Sequence, residues 1–377
     1  MQSPGLLLTI VAFALMLGPL VFFHELGHYF AGRIFGIKAE VFSIGFGSEV
    51  AGWTDKRGTR WKLSWLPLGG YVKFAGDMSA AGLTDPAWLE LPADQRSRTF
   101  QAKPVWQRAI VVAAGPVTNF ILAFLILLGF ALAYGDDRTP STVGVVEPGS
   151  AAQSIGLQSG DRITSIGGRS MSTFEDMLYY VRGRAGQQVH IEFDRKGVAM
   201  ERDVKIGEAH EKDAYGNEQP GIGRLGIGPT HPIFVRVGVL EAPGVALREL
   251  GNLLRVTGEG LGQLLMGQRS VKDMSGVVGM ASVSGQQLEL GIAPFIWLIA
   301  FISINLGFIN LLPIPMLDGG HLLFYAIEAV RRRPVTPQIQ EWAFRGGLVA
   351  ILALFVVVTF NDLDKAGLWR HLAGLIG

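Results

Sequence analysis

Phe22-Phe23-His24-Glu25-Leu26-Gly27-His28 closes an uncharged apolar run that begins at Gly5. At ~1.5 Å per residue, Gly5 to Phe23 nearly matches a ~30 Å hydrocarbon core. A cleaved signal peptide is the alternative, and it needs a basic n-region and a small-residue cleavage site. No Lys or Arg precedes Gly5, and His24-Glu25 follows Phe23, so the run reads as a retained membrane span. On a helix, His24 and His28 share a face. Two imidazoles so placed can hold one zinc ion, and the Glu25 carboxylate can act as general base on a zinc-bound water. A helix end with incidental polar residues is the bland alternative. Ionisable groups at membrane depth are costly and usually mark function, which favours the metal.

Three further apolar runs follow: Ala109 to Tyr134, Ile292 to Leu317, and about Trp342 to Phe360 with Arg345 near its start. Hydrolytic zinc sites usually take three protein ligands and keep one position open. Asp318 is the candidate third ligand. It ends the third run, in Asn310-Leu311-Leu312-Pro313-Ile314-Pro315-Met316-Leu317-Asp318-Gly319-Gly320-His321. Spans one and three run in the same direction, so the His24 cluster and Asp318 reach one depth. Span two runs oppositely, to separate or flank them. An N-cap role is the alternative for Asp318. His321 is a rival ligand, a group that orients one, or an interface residue.

Short-loop charge sets the orientation. Arg33, Lys38, Lys56, Arg57, Arg60, Lys62, Lys73, Arg96, Arg98, Lys103 and Arg108 lie between the first two spans, and Arg331, Arg332 and Arg333 between the last two. Both basic loops are therefore expected in the cytoplasm, with about Asp136 to Leu290 and both termini outside. Lys+Arg 33 against Asp+Glu 32 gives a net charge of +1, which excludes the basic balance of a nucleic-acid binder. Charged residues at 17% and a mean hydropathy of +0.32 exclude a wholly soluble chain and disorder. With Cys 0, neither disulfides nor Cys-ligated metal groups are available.

Residues 139–207 read as a small β-rich domain. Val143–Val146, Arg162–Ile166 and Val189–Phe193 are strand-like, and Ser172 to Arg184 has helical spacing, with Phe174, Met177, Leu178 and Val181 on one face. Val143-Gly144-Val145-Val146, Pro148-Gly149-Ser150-Ala151-Ala152 and Gly156-Leu157 to Asp161 resemble a PDZ domain of the bacterial protease type. Such a domain takes an extended peptide onto a sheet edge. Glu208 to Pro232 reads as hairpin and linker, with His210 and His231 as solvated residues. Leu240 to Leu265 reads as a helix, either lying on the membrane surface or simply packing.

The chain as a whole resembles the site-2 protease family of intramembrane zinc metalloproteases. The resemblance rests on His24 to His28, Gly45-Phe46-Gly47, Pro67-Leu68-Gly69-Gly70-Tyr71-Val72-Lys73, Ala113-Ala114-Gly115-Pro116 with Asn119, the PDZ-like segment, and Asn310 to Gly319. It implies a polytopic α-helical membrane protein of about four transmembrane helices, with one inserted β-rich PDZ-like domain and a membrane-associated β-hairpin or loop. The expected parts are 1–135 (spans 5–32 and 106–134, β-loop 38–77), PDZ-like 139–207, linker and helical region 208–290, and 291–377 (spans 292–317 and 342–360). By matched position, one Zn2+ falls to His24, His28 and Asp318, and catalysis to Glu25. Substrate contact falls to Asn310 and to Gly69, Gly70, Tyr71 and Val72 of the strand-like stretch Leu66 to Phe74. The implied substrate is a single-pass membrane protein of the anti-sigma-factor kind, with remnant signal peptides as a further class. The implied place is a bacterial inner membrane, with the PDZ-like domain outside and the site toward the cytoplasm. The bilayer and a PDZ peptide ligand are expected partners; nucleic acid is not. Well-known relatives carry tandem PDZ domains, whereas this chain has room for one. An inactive PDZ-bearing scaffold, a soluble zincin and a metal transporter are the rival readings. The first is opposed by the intact ligand set, the second by four apolar runs, and the third by spans with few polar residues.

Overall fold

The computed structural model describes residues 5–76, 91–209, 222–267 and 275–365. His210, most of the expected linker before residue 222, and the residues after 365 lie outside them. The described chain forms two compact units, one within Leu127–Met274 and one within Ser3–Ile126 and Ser275–Leu363.

In the second unit, helix α1 (Leu6–Ile34) continues past the apolar run, so the histidines lie in its interior and not at a helix end. Strands β1 (Ala39–Thr54) and β2 (Arg60–Phe74) follow. Both strands bend and make more than a hairpin. Residues 39–44 pair with 60–63 on one side and with 70–74 on the other, while 60–66 also pair with 46–54. Among the described pairings, 70–74 is thus an edge, and it runs beside α1. Phe42, Phe74 and Trp61 from this sheet pack with Tyr29 of α1 and Val111, binding sheet and helices into one core. After a short helix α2 (Ala93–Arg96), α3 spans Val105–Tyr134.

Past the first unit, helices α7 (Val277–Leu290) and α8 (Ile292–Asn310) come next. Helix α7 lies within 208–290, the region expected as linker and helical, and its Val283 and Leu288 pack on Ala12, Met16 and Leu20 of α1 together with Phe295 and Leu298 of α8. The third span also ends sooner than the apolar run suggests, at Asn310 and not Leu317. Pro313 and Pro315 lack the N–H a helix needs there. The chain turns through Met316 at φ 82° and restarts as α9 (Asp318–Arg331). Leu317 is the N-cap of α9, so Asp318 is not serving as one. Helix α10 (Pro337–Lys365) completes the set, longer at both ends than the run from 342 to 360. Among the described residues, α1, α3, α8 and α10 are long and apolar enough to cross a membrane.

The first unit, beyond the end of α3, opens with β3 (Asp136–Asp137), β4 (Val143–Val146) and a short helix α4 (Ala151–Ser154). Strands β5 (Arg162–Ile166), β6 (Arg169–Ser170), β7 (Gln188–Arg195) and β8 (Val198–Lys205) form one antiparallel sheet in the order β6-β5-β7-β8, with helix α5 (Phe174–Arg182) between β6 and β7 in sequence. Lys196 and Gly197 join β7 to β8 with φ of 55° and 85°, the two-residue turn whose twist suits a hairpin. Alternation along β7 sends Val189, Ile191 and Phe193 into a core with Ile163, Ile166 and Val204. Helix α5 starts on a capping box between Thr173 and Asp176 and buries Phe174, Met177, Tyr180 and Val181. Leu178, expected on that face, is 46% exposed. Short pairs follow: β9 (Gly207–Ala209) with β10 (Ile222–Arg224), β11 (Ile227–Pro229) with β4, and β12 (Phe234–Val235) with β3. Helix α6 (Ala242–Leu265) then packs against α5 through polar contacts. Glu259 takes Arg169 at 2.9 Å and Arg184 at 2.6 Å, and the Tyr179 hydroxyl donates to Glu249 at 2.7 Å.

Glu175 stands beside that hydroxyl at 3.3 Å. Burial, then the Glu249 and Asp137 carboxylates, push Glu175 up to about 7; Tyr179 opposes and Asp176 adds to the rise. Folded protein therefore holds this proton more tightly than unfolded chain does, and stability falls as pH rises from 4.5 through about 7. Thermal melting across that window should show the decline, and Glu175→Gln should flatten it and raise the melting temperature at pH 8.

Candidate metal centre

Helix α1 presents His24 and His28 one turn apart, with their Nε2 atoms 3.3 Å from each other. Asp318, first residue of α9, brings Oδ2 to 3.3 Å from His24 Nε2 and Oδ1 to 3.6 Å from His28 Nε2. The ligand atoms of a tetrahedral zinc ion at ~2.0–2.1 Å lie ~3.3 Å apart, so the spacing is that of a shared ion. His28 turns its Nδ1–H to the Val111 carbonyl at 2.9 Å, which leaves a bare lone pair on Nε2. Oδ2 of Asp318 is buried and accepts no hydrogen bond among the described residues. Lone pairs converging in an apolar bundle repel unless a cation lies between them. The donor set of two imidazoles and one carboxylate therefore fits zinc.

Glu25 sits beside the cluster, 8% exposed, and accepts the backbone N–H of Val72 on the edge strand. Gly70 lies flat on α1; a Cβ there would come within 3.0 Å of the Glu25 side chain. Gly69 has φ 138° and faces the Phe46 ring, and Tyr71 stacks on Phe46 with centroids 6.1 Å apart. Of the four β-loop residues expected to contact substrate, Gly70 and Val72 thus adjoin Glu25, while Gly69 and Tyr71 pack on Phe46. Asn310 closes α8, half-buried, at the start of the turn that leads to Asp318. His321 is not in the ligand cluster; its ring packs on Phe344 at 4.8 Å.

Helix α3 contributes what the motif does not contain. Its Gly115 faces His28 so closely that a Cβ would collide with the ring at Nε2, and Gly27 of α1 meets the Ala114 carbonyl and Thr118 in the same way. Small residues at this crossing let the helix backbones approach until the Val111 carbonyl reaches His28. Asn119, one turn beyond Gly115, places its carboxamide 3.1 Å from Nδ1 of His24. The available signal was a lone amide within an apolar span.

Gly115→Ala should displace the His28 ring and cut the zinc content of the purified protein to a small fraction of the parent's. Gly129→Ala, on the same helix with nothing within 4 Å, should leave it unchanged. Elemental analysis of both variants beside the parent makes the comparison.

The model of "Peptidase family M50" matches residues 12–354. A protein of Agrobacterium fabrum named "Putative zinc metalloprotease Atu1380" is 42% identical over 360 residues, covering 94% of this chain and 96% of its own. "Metalloprotease MmpA" of Caulobacter vibrioides is 37% identical over 398 residues, covering 98% and 99%. Among solved structures, the PDZ domain of an SdrC-like protein from Listeria innocua is 24% identical, covering 26% of this chain and 99% of that one, with a TM-score of 0.21. With a match over nearly its whole length and relatives of near-equal extent, the chain belongs to peptidase family M50 and is a zinc metalloprotease.

Proposed function

We propose that this metalloprotease hydrolyses peptide bonds within membrane-spanning segments, with Glu25 as general base. The observation that carries the reading is the convergence of His24 and His28, on a helix apolar enough to span a bilayer, with Asp318 at the start of α9, beside Glu25. Zinc held by those three side chains supplies Lewis-acid polarisation of a peptide carbonyl and brings the pKa of water toward ~7. Glu25 takes the proton of the attacking water and hands it to the leaving amine. The Val72 N–H fixes the carboxylate so that it faces the cluster rather than turning away.

A transmembrane substrate hides its carbonyls in its own helical hydrogen bonds and must unwind before water can reach one. Strand addition along residues 70–74 re-satisfies the freed backbone groups. The edge position of that segment and its run beside α1 support this role for Gly69, Gly70, Tyr71 and Val72. Asn310 is assigned to the same substrate, on its place before the Asp318 turn. The substrate class is a single-pass membrane protein of the anti-sigma-factor kind, with remnant signal peptides as a second class. The charge of the short loops favours an orientation with residues 139–207 outside, and the family resemblance supplies the bacterial inner membrane as the place.

Glu25→Gln removes the base and keeps the ligands. Cleavage of a model transmembrane substrate in proteoliposomes should fall by at least about a hundredfold, while zinc content stays at the parental level. Parental cleavage by that variant would overturn the assignment. Asp318→Ala should lose both zinc and activity.

A further inference from the structure

Asn119 is 0% exposed, on a helix made almost wholly of apolar residues. Its backbone carbonyl accepts the Ser303 hydroxyl at 2.8 Å, so α8 fixes the height from which the side chain leaves α3. One end of its carboxamide faces Nδ1 of His24 at 3.1 Å. The other end, Oδ1, is buried with no hydrogen-bond partner among the described residues. A neutral imidazole carries one N–H. If Nε2 is to offer a lone pair to a metal, that proton sits on Nδ1 and calls for an acceptor. His28 meets the demand with a fixed backbone carbonyl, that of Val111. His24 has a side-chain amide in the equivalent place. With Nδ2 toward the ring, donor would face donor. The ends of a carboxamide are nearly equal in size, so half a turn changes no packing; it puts Oδ1 on Nδ1–H and turns the amide N–H groups to the place where Oδ1 stood.

We infer that Asn119 is a positioning residue that accepts the Nδ1 proton of His24 through Oδ1 and so holds His24 in the tautomer whose Nε2 faces the metal. The inference rests on the zinc reading above and goes beyond it. It makes His24 the adjustable ligand and His28 the fixed one, because a carboxamide rotates and the Val111 carbonyl does not.

The test uses full-length protein in detergent. Zinc affinity is read by competition with a chromogenic chelator, and ligand geometry by the visible spectrum of the Co2+-loaded form. Asn119→Leu keeps the volume and removes the acceptor. It should weaken zinc binding by about 10–100-fold and shift the Co2+ bands. Asn119→Asp keeps an acceptor at the same place and should return affinity and spectrum close to the parent's, which a merely structural role would not do. Parental affinity in the Leu variant overturns the inference, as does an Asp variant as weak as the Leu variant. Failure of the parent itself to bind one zinc ion would instead overturn the metal assignment, so the two failures are distinguishable.

Discussion

Two imidazole nitrogens stand 3.3 Å apart inside an apolar bundle, and the Asp318 carboxylate brings one oxygen to 3.3 Å from the first and its other oxygen to 3.6 Å from the second. Much of the second unit follows from that approach. Lone pairs so close repel without a cation between them, and each must be aimed by something rigid. The Val111 carbonyl aims His28, the Asn119 amide meets His24, and the start of α9 delivers Asp318. The glycines at the α1 and α3 crossing matter for the same reason. A methyl group on Gly27 would press on the Ala114 carbonyl of α3, and one on Gly115 would push the His28 ring aside.

The sheet formed by β1 and β2 is the second element fixed by this arrangement. Its edge segment is anchored at one end by Phe74, packed in the core beside Tyr29, and touches Glu25 at the other through Gly70 and the Val72 N–H. The strand that supplies an N–H to Glu25 is thus the strand with an edge to offer. A segment pairing there would lie along α1, beside Glu25 and the histidines. The first unit has a core of its own, built on Ile163, Ile191, Phe193 and their neighbours. There the Tyr179 hydroxyl of α5 donates to Glu249 of α6 with Glu175 beside it, which makes the joint sensitive to protonation.

Much of the centre could be read from the order of residues alone, because its key pair is local. His24, Glu25 and His28 share a helix, and helical geometry by itself puts both imidazoles on one side. The four spans followed from continuous hydropathy, and the strands of residues 139–207 from alternation. Asp318 required one further step, the argument that parallel spans bring their ends to one depth. The errors have physical causes. Hydropathy continues through Leu317, but Pro313 and Pro315 end α8 at Asn310, and apolar residues in a turn look like apolar residues in a span. Helix α7, within the region expected as linker and helical, draws its stability from packing on α1 and α8 rather than from its own pattern.

The sequence by itself determined the class of protein, its membrane character and the local spacing of His24, Glu25 and His28, and it pointed to Asp318 as the residue to join them. Each of these depends on spacing along the chain or on summed hydropathy. Only the tertiary structure decided that Asn119 and Val111 lie against the imidazoles, that His321 packs on Phe344 outside the cluster, and that the Val72 N–H meets Glu25. Those contacts join residues far apart in the chain, and no local period records which backbone carbonyl or amide a folded helix will find opposite it.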